Sequence, residues 1–131
     1  MIFISVPTFV DLFAGIGGFR LGLENIGYEC LYSIEIDKHC RKVYYDNFGG
    51  MPDGDIRQIH EKEIPPHDIL CAGFPCQPFS IASSSKLGLA DTRGTLFFDI
   101  MRIIRYHHPR VIVLENVKNH ARHSIQPVPQ L

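Results

Sequence analysis

At 131 residues, with 45% apolar and 21% charged side chains, the chain has one domain's worth of sequence and enough apolar content for a core. A net charge of −1 excludes a general polyanion-binding field, so any nucleic-acid partner has to be argued from individual residues. No apolar run reaches the roughly 18 residues of a membrane helix, and MIFISVPTFV at the N-terminus lacks the basic flank of an export signal.

In chain order, Phe9 to Phe13 reads as a strand that ends in the glycine turn Ala14-Gly-Ile-Gly-Gly18. Phe19 to Asn25 then carries apolar residues at helical spacing and stops near Gly27. Glu29 to Ile36 is a second strand. Asp37 is placed to cap a helix running to about Phe48, with Gly49-Gly50 ending it. Pro52 to Pro66 reads as loop with a short strand at Asp55-Ile56. Asp68 to Ala72 is a third strong strand, Thr95 to about Tyr106 a helix, and Val111 to Leu114 a fourth strand. Ile81 to Arg93, rich in Ser and Gly, reads as a loop, and His120 to Leu131, with two prolines and no periodicity, as an irregular tail. Strand and helix alternating in this way predict an α/β fold with a parallel, Rossmann-like sheet and flanking helices. Ligands of such sheets bind at the carboxyl ends of the strands. Gly15, Glu35, Asp55, Cys76 and Glu115 all fall at those ends.

The glycine turn lets backbone pass close to a ligand and aims helix N-terminal N–H groups at it, but its spacing is not G-x-G-x-x-G. Glu35 follows Gly15 by twenty residues, where a carboxylate can accept from both hydroxyls of a ribose. Asp55 either accepts from an adenine amino group or closes an Asx turn, and Phe13 either stacks on a ligand ring or belongs to the core. Glu115, after four aliphatic residues, is expected to be partly desolvated and so able to act as an acid, or else to cap a helix or join an ion pair.

The four cysteines, Cys30, Cys40, Cys71 and Cys76, show no close pair spacing, which points to a reduced, cytoplasmic setting. No zinc-type ligand set is expected, and His107-His108 and His120-x-x-His123 read as solvated residues. Cys71, inside a strand, reads as a small core hydrophobe. Cys76 is different. It follows the strand end in GFPCQPFS, between Pro75 and Pro78, in a segment stiffened by fixed φ angles. Such stiffness suits a nucleophile whose line of attack is set in advance.

Together these segments resemble the DNA (cytosine-5)-methyltransferases, in particular the bacterial enzymes of restriction–modification systems. FVDLFAGIGGFRLGLE is similar to that family's first motif, SIEID to its second, GDI to its third and GFPCQPFS to its nucleophile motif. RGTLFFDIMRII is similar to the helix motif that follows, and ENVKN to the glutamate motif. The resemblance covers about Phe9 to Asn119 and implies a partial catalytic domain over residues 1–119, with 120–131 as a tail. It implies an S-adenosylmethionine site lined by Phe13, Ala14, Gly15, Ile16, Gly17 and Gly18. Glu35 and Ile36 would then meet the ribose and adenine, Asp55 and Ile56 the adenine, and Pro75 and Leu96 would lie near the cofactor. Cys76 would be the nucleophile that adds to C6 of a cytosine flipped out of double-stranded DNA. Glu115 would hold that base, Asn116 would fix the loop, and Gln77, Ser80 and Arg93 would contact nucleic acid.

After Asn119 nothing resembles the family's later motifs. The implied expectation is that activity needs a second polypeptide carrying them, and that the open side of the domain exposes apolar surface. An inactive remnant and a nucleotide-binding α/β module are the alternatives.

Overall fold

The computed structural model describes residues 2, 4–74 and 92–115, with 92–95 described by backbone alone. Its four strands are β1 (Thr8–Leu12), β2 (Glu29–Ile34), β3 (Ile69–Gly73) and β4 (Val111–Glu115). They form one sheet in the order β2-β1-β3-β4, and every neighbouring pair is parallel. Three helices, α1 (Gly18–Asn25), α2 (Lys38–Phe48) and α3 (Thr92–His107), connect them. The α/β parallel sheet expected from the alternation is therefore present.

Side chains alternate across a strand, so β1 feeds two cores at once. Val10 and Leu12 join Ile34, Leu70 and Ala72 against Ile100 and Ile103 of α3. On the other side, Phe9 packs with Ile69 and Cys71 beneath Phe19 and Leu23 of α1. A strand buried on both faces has to be apolar throughout. Phe9, Val10 and Leu12 meet that demand; Asp11, also fully buried, does not.

The caps of α2 stand where the sequence puts them. Asp37 accepts from the backbone N–H groups of His39 (2.8 Å) and Cys40 (2.9 Å), which hold its carboxyl below the usual range. Gly49 ends the helix at φ 78°, and its N–H donates to the Tyr45 carbonyl. Gly17 caps α1 at φ 96°, and a Cβ built there would run into the Phe48 ring, so the glycine lets α1 start against the end of α2.

The connection between α2 and β3 departs from expectation. Asp55-Ile56 is not a strand. The sheet-like bridge falls at Asp53, opposite Ile34, and the chain then turns through two single 3-10 turns, Ile56–Gln58 and Glu61–Glu63. Asp55 and His60 cap them, accepting from the N–H groups of Arg57 and Lys62. Two polar caps so close together favour turns over a ladder. Helix α3 begins at Thr92, three residues before the expected start, so Thr92 and Arg93 are helical; the rest of the expected Ile81 to Arg93 loop lies outside the described residues. His107 is not simply solvated: its Nε2 is 2.8 Å from the Glu61 carbonyl and its ring lies against those of His67 and Tyr106.

Strand β4 is the outer strand of the described sheet. Its four aliphatic residues, Val111 to Leu114, are 36–49% exposed. No helix among the described residues is long and apolar enough to cross a membrane.

Candidate functional site

In an open parallel sheet the crevice forms where the strand order reverses, beyond the carboxyl ends. Here β1 lies between β2, reached through α1, and β3, which continues the sheet the other way. A cavity of about 530 Å³ opens at this point. Each of the four strands contributes to its wall: Phe13 and Gly15 after β1, Glu35 and Ile36 after β2, Gly73 and Phe74 from β3, and Glu115 at the end of β4. The segment Gly54 to Arg57 and Leu96 of α3 close the sides.

Glu35 organises the glycine turn. One carboxylate oxygen accepts the Gly15 N–H at 2.7 Å and the other accepts the Asp37 N–H at 2.8 Å. Each oxygen of an ionised carboxylate has two acceptor positions, so one remains on each for a ligand. Gly15 is left-handed (φ 57°), and a Cβ there would meet nothing within 4 Å, so the backbone borders open space. Phe13 takes φ 56°, a conformation costly for an aromatic residue, while its ring packs on the core and lines the cavity. The two readings of Phe13 are thus compatible.

Asp55 is an Asx-turn residue and a wall residue at once. Its oxygens accept from the Arg57 N–H (3.0 Å) and from the Arg57 guanidinium (2.6–3.1 Å), which together hold its carboxyl below the usual range. Gly73 stands opposite Glu115 in the β3–β4 register, and a Cβ on it would come within 3.3 Å of the Glu115 carboxylate. A glycine there lets that carboxylate lie over the strand end. Glu115 itself is exposed, because the aliphatic residues preceding it in β4 are exposed too. The burial expected for it is not found among the described residues.

Among the described wall residues Asp55 is paired with Arg57, which leaves the Glu35 carboxylate unopposed by a wall cation, so the field favours a ligand with cationic character. The cavity brings together Phe13, Gly15, Glu35, Ile36, Asp55, Ile56, Leu96 and Glu115 of the residues expected from sequence. Ala14, Ile16, Gly17 and Gly18 are not on the described wall: Ala14 is buried, Ile16 is 58% exposed, and Gly17 serves the helix contact. Pro75, Cys76, Gln77, Ser80 and Asn116 lie outside the described residues, as does the tail at 120–131, and Arg93 is described by backbone alone. Sequence reasoning missed Gly73, Phe74, Gly54 and Arg57. The first two stand directly before the Pro-Cys pair, and that adjacency is a signal for them; Arg57 has none.

On the far side of β1 from the α3 core is a buried acid. Asp11 is 0% exposed, and neither carboxylate oxygen has a hydrogen-bond partner among the described residues. Burial pushes its carboxyl from an ordinary 3.8 to about 7, partly opposed by Arg20 and reinforced by Glu35. Arg20 is committed elsewhere, to Glu24 at 2.7 Å and over the Tyr44 and Phe48 rings at 5.5 and 4.8 Å. Cys71, across from Asp11 in the sheet, is the core hydrophobe expected, its thiol pushed up to about 12 by burial.

Comparison with known proteins bears on the fold and the family. The chain is 63% identical over 116 residues to the Type II methyltransferase M.HhaI of Haemophilus parahaemolyticus, covering 88% of this chain and 35% of that protein. It is 54% identical over 119 residues to the Type II methyltransferase M.HpaII of Haemophilus parainfluenzae, covering 89% and 33%. Among solved structures it superposes on the S. pombe Dnmt2 methyltransferase with TM-score 0.69 at 25% identity, over 87% of this chain and 37% of that one. A DNMT2 mutant from Spodoptera frugiperda gives TM-score 0.64 at 26% identity, over 87% and 36%. The chain thus spans about a third of the length of the curated relatives it matches. A family model described as C-5 cytosine-specific DNA methylase matches residues 7–127, and the chain belongs to that family.

Proposed function

We propose that this chain is the cofactor-binding and nucleophile-bearing part of a DNA cytosine-5 methyltransferase, and that it methylates only together with the remaining two-thirds of the relatives' length. The observation that carries this reading is the single cavity into which Gly15, Glu35, Asp55 and Glu115 converge from separate elements. Its residues fit S-adenosylmethionine. Glu35 keeps an acceptor position on each oxygen for the ribose hydroxyls, Asp55 and Ile36 stand at the base end, and the acidic wall suits a sulfonium. When bound, S-adenosylmethionine supplies the methyl group that becomes attached to C5.

The residues of the chain carry the rest. The C5 position of cytosine is a poor nucleophile. Attack of the Cys76 thiolate on C6 forms a C–S bond and moves the ring's electron pair to C5, which can then take the methyl group. Glu115, protonated toward N3 of the flipped base, offsets the charge that builds on the ring, and Asn116 fixes the loop. A base must afterwards remove the C5 proton so that the ring electrons return and the cysteine leaves. Gln77, Ser80 and Arg93 are assigned to DNA contacts, which position the duplex without setting its sequence. The exposed aliphatic side chains of β4 are where that remaining length would pack.

The test is trapping on duplex DNA carrying 5-fluorocytosine, with S-adenosylmethionine, in the presence and absence of a polypeptide bearing the later motifs. Fluorine cannot leave as a proton does, so a productive attack ends in a stable protein–DNA adduct. The expected outcome is an adduct with both polypeptides present that vanishes in Cys76→Ser. Absence of any Cys76-dependent adduct under either condition would favour the inactive remnant.

A further inference from the structure

The one cationic side chain on the described cavity wall is Arg57, and neither the glycine turn nor the strand ends account for it. Gly54, Asp55, Ile56 and Arg57 line the wall in succession, with the Ile56 side chain turned into the core at 3% exposed. Arg57 folds back on Asp55: Nε lies 2.9 and 3.1 Å from the two carboxylate oxygens and Nη2 lies 2.6 Å from one of them. The Asp55 oxygens also take the Arg57 backbone N–H at 3.0 Å. Arg57 therefore holds the Asp55 carboxylate in one orientation, and a base at this wall meets the pair and not a freely turning carboxylate. Arg57 Nη1 makes no hydrogen bond to a described residue, and its donors stand next to the carboxylate.

We infer that Asp55 and Arg57 act as one donor–acceptor pair that reads the amino-bearing edge of the cofactor's purine, with Arg57 the specificity-determining member. Adenine offers an amino donor beside a ring-nitrogen acceptor, the complement of a carboxylate beside a guanidinium. Hypoxanthine has oxygen in place of the amino group, and that oxygen would face the carboxylate. The planar fork matters as well as the charge, because it fixes the carboxylate and points the remaining donors in one plane. The alternative role, a surface ion pair that steadies the 3-10 turn, would leave ligand choice untouched. The inference rests on the S-adenosylmethionine reading above.

The test is calorimetric titration of the 131-residue chain with S-adenosylhomocysteine and with S-inosylhomocysteine, its hypoxanthine counterpart. Wild type, Arg57→Ala, Arg57→Lys and Asp55→Asn are compared through the ratio of the two affinities. That ratio is unaffected by any unfolded fraction in a variant. Wild type is expected to favour the adenine ligand by about tenfold or more, the scale of one charge-assisted hydrogen bond. In Arg57→Ala the preference should fall below about threefold, and Arg57→Lys should restore affinity for both ligands more than it restores preference. An Arg57→Ala ratio equal to that of wild type would overturn the inference and leave the cofactor reading standing. Failure of wild type to bind either ligand would overturn both.

Discussion

Replacing Glu35 by alanine is expected to weaken S-adenosylmethionine binding by about 100-fold, with the chain still folded. Hydrogen bonds from two ribose hydroxyls to a carboxylate are worth at least roughly 1.5 kcal/mol each, about 3 kcal/mol together, and 100-fold corresponds to about 2.7 kcal/mol, the low end of that range. The carboxylate does a second job, because it ties the Gly15 N–H to the Asp37 N–H and so holds the glycine turn against the start of α2. Loss of that tie would loosen the turn while the cores under α1 and α3 stay intact. Glu35→Gln should fall between wild type and alanine, since the amide keeps one acceptor and turns a donor toward one of the two N–H groups. Equilibrium dialysis with labelled cofactor, with far-UV circular dichroism melts as the control for folding, measures both variants. Glu35→Ala binding within threefold of wild type would remove Glu35 from the cofactor site.

The second large effect concerns stability. Asp11 has a folded-state value raised to about 7 from an ordinary 3.8, so its neutral form is the one the fold accepts. A raised carboxyl binds its proton in the folded state while the unfolded chain has already lost it. Stability from this group is therefore greatest below about pH 4, falls as pH rises from there to about 7, and is flat beyond. At about 1.4 kcal/mol per pKa unit, the full loss is on the order of 4–5 kcal/mol. Asp11→Asn cannot ionise and should gain on wild type across that interval, matching it at low pH and exceeding it by that amount at pH 8. Urea unfolding of both proteins between pH 4 and 8 isolates the difference from the other acids, such as Asp37 and Asp55, which both proteins share. A difference that does not change with pH would mean that Asp11 is ionised in the fold and paired with Arg20.

Much of this was legible in the residues. Elements bounded by local chemistry were read closely: the Asp37 cap, the Gly49 stop, and strands β1, β2, β3 and β4, whose expected limits lie within two residues of those found. Glu35, Asp55 and Glu115 were legible because a parallel sheet gathers its ligand groups at one end, so position along each strand was enough. What escaped depends on contacts distant in sequence. The turns after Asp53 are set by side-chain caps that compete with the ladder, and no periodicity records them. Glu115 was expected to be shielded by its aliphatic neighbours, yet shielding requires elements packed on both faces of β4, and the described part of the chain leaves them exposed. Arg57 lies in a turn whose chemistry is visible only once Asp55 and the cavity are seen together. Asp11 reads in sequence as one polar residue of a strand; its burial, with no hydrogen-bond partner among the described residues, follows from α1 lying across that face.

The central claim is that the cavity at the strand ends selects a sulfonium nucleoside over an anionic dinucleotide. Its acidic wall and the absence of G-x-G-x-x-G spacing in the glycine turn both point that way. Parallel calorimetric titrations of the intact chain with S-adenosylmethionine and with NAD measure this directly. Saturable one-to-one binding of S-adenosylmethionine, with no heat from NAD at the same concentrations, is the expected result. Preference for NAD, or equal binding of the two, would contradict it.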